Sequence, residues 1–170
     1  MRGLLRKRCY ICVFRRGALR GRLFPSANEE SPLRPQLPYG IAKLAGELYL
    51  QHYSAEHGLN SVALRYGNVY GPRQDPAGEA GMVAIFASKM LKVEKVTING
   101  DGEYIRDYVF VKDMVDTNLR APERCSHNRG ARAFNVGTSC GTSVNQLYRM
   151  RASVLGVAVE PNYGPPGLVI

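Results

Sequence analysis

Apolar residues recur at helical spacing behind Pro38: Ile41, Ala45, Leu48 and His52 fall on one stripe, and Pro38 itself suits a first helical position. Gly58 supplies a left-handed stop, so an amphipathic helix is expected from Pro38 to just before Gly58. Glu29 to Leu37, with Pro32 and Pro35, forms an extended connection leading into it. Ser61 to Arg65 (SVALR) has the short apolar pattern of a buried strand and runs into a glycine-rich loop, Tyr66 to Pro76. Met82, Val83, Ile85, Phe86, Met90 and Leu91 predict a second helix over 81–93. A strand at Val96 to Ile98, a turn at Gly100 to Gly102 and a strand at Tyr104 to Val111 follow. Lys112 to Arg120 is expected as helix, Ala133 to Val136 as strand, and Ser143 to Leu155 as a helix capped by Thr142 or Ser143. Helix, strand and long glycine-rich loop in this order is α/β logic, and ligands in such folds lie at the carboxyl ends of strands.

Charge changes this picture at one end only. The chain has 170 residues and a formal net charge of +9. Residues 1–34 hold 9 Lys and Arg against Glu29 and Glu30, a net +7, whereas residues 35–170 hold 14 basic and 12 acidic side chains, a net +2. Met1 to Pro25 contains 8 basic residues and no Asp, Glu, Ser, Thr, Asn or Gln. Such a leader has three explanations: a nucleic-acid or membrane-surface arm, an Arg-rich targeting segment, or sequence unrelated to the fold. A targeting segment would be rich in Ser, and a nucleic-acid arm would interleave polar side chains, so the third explanation is favoured and nucleic acid is not expected as a partner.

At this length the chain can bury one core with a small appended lobe. No apolar run approaches the roughly 18 residues of a membrane span, and a soluble, cytoplasmic protein is expected. Cys9-Tyr-Ile-Cys12 is a CxxC, but Cys125 and Cys140 are isolated and supply no second close pair. No metal is therefore expected.

The candidate chemistry lies at the start of the first helix, in Tyr39-Gly-Ile-Ala-Lys43. A helix puts i and i+4 on one face, with side chains roughly 6 Å apart, so a phenol and an ammonium can share a reactive centre. A cation beside a phenol favours its ionised form and suits it to proton transfer. Spacing alone is weak evidence: 10 tyrosines and 6 lysines in 170 residues yield roughly a third of one such pair by chance. A second copy, Tyr108 to Lys112, lies in a strand pattern, where four residues span about 13 Å and the two side chains cannot cooperate. Against the catalytic reading of Tyr39 and Lys43 stands a plain one, in which Tyr39 packs and Lys43 pairs with Glu47 one turn on.

Five stretches, in order, carry a family resemblance: Pro38-Tyr-Gly-Ile-Ala-Lys-Leu-Ala-Gly-Glu47, Leu64-Arg-Tyr-Gly-Asn-Val-Tyr-Gly-Pro-Arg73, Thr97-Ile-Asn-Gly-Asp-Gly-Glu103, Arg106-Asp-Tyr-Val-Phe-Val-Lys-Asp113, and Phe134-Asn-Val-Gly-Thr138 followed by Thr142-Ser-Val-Asn145. Over about residues 24–163 the chain resembles the carboxyl-terminal part of the extended short-chain dehydrogenase/reductases, in the NAD-dependent epimerase/dehydratase family, and most of all its UDP-glucose 4-epimerase members. The resemblance implies an α/β fold: a partial Rossmann-like, doubly wound sheet lacking its N-terminal dinucleotide-binding half, plus a small α/β substrate lobe. It divides the chain into a leader at 1–25, a Rossmann remnant with the tyrosine helix at 26–78, and a truncated substrate lobe at 79–170.

The same resemblance implies roles. Tyr39 would take a proton from the sugar 4-hydroxyl while hydride passes to NAD, and Lys43 would hold the nicotinamide ribose. Gly67 would lie beside the nicotinamide, where the family commonly has Phe. Asn68 would donate to the nucleotide-sugar, Thr97, Ile98 and Asn99 would line the nucleoside pocket, and Arg106 would neutralise the diphosphate, a task suited to a fixed guanidinium fork. Asn99 stands where an aromatic is usual. The substrate would be a nucleotide-sugar such as UDP-glucose or UDP-galactose.

The departures are as informative. No G-x-x-G-x-x-G pattern follows a strand, and no Ser or Thr precedes Ser26 to complete a catalytic triad. The sequence thus points to a fragment of a sugar-nucleotide epimerase that is inactive alone. A nucleotide-sugar 4,6-dehydratase or decarboxylase of the same superfamily remains open, as do a basic nucleic-acid- or membrane-surface-binding protein and a non-catalytic subunit. The last would form a homo-oligomer or dock on a full-length homologue through its open sheet edge.

Overall fold

The structure, a computed structural model, describes residues 10–15, 28–35, 37–77, 81–127, 130–157 and 160–166, with backbone alone at 10–15 and 124–127. In chain order the elements are β1 (Tyr10–Arg15), α1 (Pro38–His57), β2 (Ser61–Tyr66), β3 (Asn68–Tyr70), α2 (Met82–Leu91), β4 (Thr97–Asn99), β5 (Ile105–Arg106), β6 (Tyr108–Phe110), α3 (Val111–His127), β7 (Ala131–Val136), β8 (Thr142–Ser143), α4 (Val144–Leu155) and β9 (Asn162–Gly164). They form two compact units. The first contains residues up to Gly67 together with 112–137, and the second contains 68–111 and 138–169. The sequence suggested a division near residue 78 that ran straight along the chain; here 112–137 returns to the first unit.

The first unit is a parallel sheet in the order β1-β2-β7. Ser61 to Arg65 of β2 are all buried, as expected of a strand flanked by two others. Val62, Leu64 and Ala121 form its core, with Tyr66, Phe134 and Val136 packed against them. The backbone of Tyr10–Arg15 pairs residue for residue with Ser61–Tyr66, so six residues of the basic leader belong to the sheet that composition had set them apart from.

Helix α1 starts and stops where the sequence places it. Pro38 occupies the first turn after an extended Leu37, and Gly58 adopts φ 64°, its N–H bonding to the Ser54 carbonyl at 3.0 Å. Its orientation differs from expectation. Ile41 and Leu48 of the anticipated apolar stripe are each 54% exposed, as are the neighbouring Tyr49 and Tyr53 in similar measure. The buried position on this helix is Glu47, at 4% exposure. The reason is Arg65 on the buried strand β2: its Nε donates to Glu47 Oε2 at 3.0 Å and its Nη2 to Glu47 Oε1 at 2.5 Å, a two-pronged ion pair. A buried guanidinium needs this partner more than a leucine needs shelter, and the partner decides which face of α1 turns to the sheet.

Among the described residues the second unit has an apolar core built from Val83, Phe86, Met90, Val96, Ile98, Val144, Leu147 and Tyr148. Phe86 and Tyr148 meet edge to face with centroids 6.1 Å apart. Burial pushes the Tyr148 phenol above its ordinary pKa of 10.0, and Glu160 and Tyr163 act in the same direction. Ser143 caps α4 with a reciprocal pair of bonds: its Oγ accepts from Gln146 N–H at 3.1 Å, and Gln146 Oε1 accepts from Ser143 N–H at 2.8 Å.

Three elements depart from the sequence expectation. The strand anticipated over Tyr104 to Val111 is two strands, β5 and β6, interrupted at Asp107. Helix α3 continues to His127 through Pro122 instead of ending at Arg120. The loop after β2 contains β3, which pairs with β6, and β9 near the chain's end pairs with β4.

Candidate active site

On α1, Lys43 Nζ stands over the Tyr39 ring, 5.3 Å from its centroid. Tyr39 is 51% exposed, so its phenol is accessible at the helix surface. The tight approach of Pro35 to the first turn requires Gly40: a Cβ there would lie 3.0 Å from Pro35 Cβ. Of the plain alternative, neither half is found. Tyr39 is not packed away, and Glu47, the proposed partner of Lys43, is committed to Arg65. Among the described residues Lys43 makes no ion pair. The competing pair is also resolved: Tyr108 lies in β6 and donates to Met82 Sδ at 3.4 Å, whereas Lys112 lies in α3.

Gly67 closes β2, its N–H donating to the Val136 carbonyl at 2.9 Å. Arg65 extends the same end of the first unit, because its Nη1 also donates to the Glu29 carbonyl at 3.3 Å. Glu29 in turn accepts from Asn135 N–H at 2.8 Å through Oε1, which ties the connection before α1 to the end of β7.

The remaining candidates belong to the second unit. Asn68 opens β3, its N–H donating to the Asp107 carbonyl at 2.6 Å, and its side-chain amide makes no hydrogen bond among the described residues. Thr97 and Asn99 are exposed on β4 and flank Gly164 of β9, where a Cβ would come within 3.2 Å of both side chains. Ile98 between them points into the core at 1% exposure, so its side chain lines no pocket and only its backbone remains for a ligand. Arg106 is half-buried in β5, with Nη1 donating to the Ile105 carbonyl at 3.1 Å. Each unit thus holds its own subset: Tyr39, Lys43 and Gly67 in the first, Asn68, Thr97, Asn99 and Arg106 in the second.

Asp107 was not among the site residues that the sequence singled out, although it lies inside the Arg106 to Asp113 stretch. Its carboxylate accepts from Thr138 N–H at 3.0 Å, Thr138 Oγ at 2.6 Å and Ser139 N–H at 3.0 Å. Asn145 is a second such hub, donating to the Asp101 carbonyl at 2.9 Å and to Glu103 Oε1 at 2.6 Å, and accepting from Tyr163 Oη at 3.1 Å. The signal available for both was polarity, at Asn145 in a position that the fold buries and at Asp107 in one that it leaves partly exposed. Among the described residues no group of three or more His, Cys, Asp or Glu could hold a metal, and no helix is long and apolar enough to cross a membrane. Cys9 and the side chains of Cys12 and Cys125 lie outside what is described; Cys140 is exposed.

Comparison with known proteins follows the same line. The sequence profile of the NAD dependent epimerase/dehydratase family matches residues 17–137. A UDP-glucose 4-epimerase of Mycolicibacterium smegmatis is 44% identical over 141 residues, 83% of this chain and 44% of that protein. The crystal structure of UDP-glucose 4-epimerase from Thermotoga maritima with UDP-glucose superposes with a TM-score of 0.87 at 46% identity, covering 95% of this chain and 52% of the other. UDP-glucose 4-epimerase of Thermus thermophilus, solved with NAD, gives a TM-score of 0.79 at 39% identity, covering 93% of this chain and 51% of the other. The α/β fold is that of these Rossmann-like enzymes, and the chain spans about half the length of the relatives it matches.

Proposed function

The chain belongs to the NAD-dependent epimerase/dehydratase family, and on that footing we propose that it carries the proton-transfer pair and nucleotide-sugar contacts of a 4-epimerase acting on UDP-glucose and UDP-galactose. The observation that carries this reading is Lys43 Nζ over the ring of an accessible Tyr39, with Glu47 withdrawn from Lys43 by Arg65. A surface lysine serving only α1 would take the carboxylate one turn on; this one is held in reserve beside a phenol.

Tyr39 Oη takes the proton from the sugar 4-hydroxyl and returns it to the keto sugar after that sugar has turned over. Lys43 holds the nicotinamide ribose through its ammonium donors, a fit supported by the absence of any ion pair on Lys43 among the described residues. NAD supplies the acceptance and return of hydride when bound. Gly67 leaves room beside the nicotinamide. In the second unit Arg106 opposes the diphosphate charge with a planar donor fork, and Asn68 offers its amide to the sugar-nucleotide. Thr97, Asn99 and the Ile98 backbone frame the nucleoside.

On this reading the residues among those described that meet NAD are Tyr39, Lys43 and Gly67. Turnover then depends on a dinucleotide grip from elsewhere, such as a full-length homologue in the cytoplasm. The test is calorimetric titration of the chain with UDP, alongside a galactose-to-glucose assay with added NAD. Binding that Arg106→Ala weakens about tenfold, without turnover, is the expected result. Absence of UDP binding would sink the substrate reading, and turnover by the chain alone would sink the dependence on a second component.

A further inference from the structure

We propose that Asp107 is a positioning residue: it holds three segments of the second unit so that Arg106 and Asn68 keep one arrangement toward a nucleoside diphosphate. This rests on the substrate reading above. Asp107 lies where the chain changes partners, between β5, which runs antiparallel to β8, and β6, which runs parallel to β3. Its backbone carbonyl accepts the Asn68 N–H at 2.6 Å, fixing the start of β3. Its carboxylate takes the N–H groups of Thr138 and Ser139, both at 3.0 Å, and the Thr138 hydroxyl at 2.6 Å. The hydroxyl also accepts from Cys140 N–H at 3.1 Å, extending the grip one residue further.

Ser139 adopts φ 62°, a left-handed conformation that a residue with a Cβ does not take without a compensating contact. Consecutive N–H groups converging in such a turn form an anion-binding concavity, and here the anion is built into the chain. Bonds to an ionised acceptor are the stronger kind, so one carboxylate can hold this loop in place. The same bonds solve an electrostatic problem. Arg106 is covalently adjacent to a carboxylate, which would draw its guanidinium away from a ligand and repel a diphosphate. With both Asp107 oxygens engaged by residues 138–139, that negative charge is opposed from the side of the loop.

Asp107→Asn keeps the shape but removes an acceptor, because Thr138 uses Oδ1 and Ser139 uses Oδ2. The expected result is amide exchange at Ser139 at least about tenfold faster, and UDP affinity about tenfold weaker, with the amide resonances of α4 unmoved. Thr138→Val, which deletes only the hydroxyl, should move both readouts in the same direction by less. It carries the test if the first variant unfolds. In the background of Arg106→Ala with Asn68→Ala, Thr138→Val should cost no further UDP affinity, since its effect passes through those two side chains. Unchanged Ser139 exchange and UDP affinity in both variants would overturn the proposal, as would losses that simply add to that of the Arg106→Ala, Asn68→Ala pair. A wild-type chain that binds no UDP, yet shows accelerated Ser139 exchange in Asp107→Asn, defeats the nucleotide reading and the role given to Arg106, while the clamp on the loop stands.

Discussion

The two units solve the same packing problem with different materials. The second buries eight apolar side chains around Phe86, Met90 and Ile98, and its polar hubs hold loops at its margin. Among the residues whose side chains are described, which leave out those of β1, the first unit's core cluster is Val62, Leu64 and Ala121, and the orientation of its helix is decided by one ion pair, Glu47 with Arg65. The hydrophobic effect has no preferred direction, whereas a two-pronged guanidinium–carboxylate pair is directional. The unit that carries the Tyr39–Lys43 pair is the one fixed by direction. That arrangement leaves Ile41, Leu48 and Tyr49 outside, each more than half exposed.

The strongest way to break this contrast is to remove one member of the ion pair. Arg65→Ala leaves Glu47 buried without its partner and should destabilise the first unit by about 3–5 kcal/mol, measured by urea unfolding. The double change Glu47→Leu with Arg65→Met should restore most of that loss while letting α1 rotate, which the Lys43 ammonium's effect on Tyr39 ring shifts would report by NMR. Equal losses in the single and double variants would show that the charges contribute stability and not only direction. Next in size, Phe86→Ala should cost about 3–5 kcal/mol in the second unit, toward the lower end because partly buried neighbours can close on the gap. Ser143→Ala removes the α4 cap and should cost about 1 kcal/mol by the same measurement.

The smallest effect is a pH dependence confined to the apolar unit. Since burial raises the Tyr148 pKa, the folded state holds that proton more tightly than the unfolded chain does. Its contribution is complete below pH about 10 and declines as the pH rises through the folded value. Tyr148→Phe should therefore show a shallower fall in denaturation midpoint between pH 9 and 11 than the parent chain. Parallel curves would remove Tyr148 as a source of the alkaline loss. Tyr39→Phe should leave stability within about 0.5 kcal/mol, because the residue is half exposed on a helix surface.

Local signals made the element ends legible. Pro38 and Gly58 bounded α1, and Thr142-Ser143 announced α4, because caps act through the nearest few residues. What sequence could not supply was the choice between faces of one helix. Ile41, Ala45, Leu48 and His52 obey helical spacing, and only the distant Arg65 reveals that Glu47 turns inward. The break at Asp107 was hidden for the same reason, since its cause is a loop about thirty residues further on. Pro122 would end a helix by its own chemistry, yet α3 runs through it. Of the site, Tyr39 and Lys43 were legible as a pair on one helix face, whereas the burial of the Ile98 side chain shows only once strand alternation is set against its packing partners.

The return of residues 112–137 to the first unit has a consequence for how the molecule is made. Ser61 pairs with Ala131, so β2 emerges from the ribosome seventy residues before its neighbour β7. At translation speeds of about 5–20 residues per second, that is an interval of roughly 4–14 seconds. Throughout it, the strand that ends beside Gly67 has an open flank, while residues 68–111 are still being delivered. The first unit is therefore completed late, and a factor that shields nascent strands has a long window at β2.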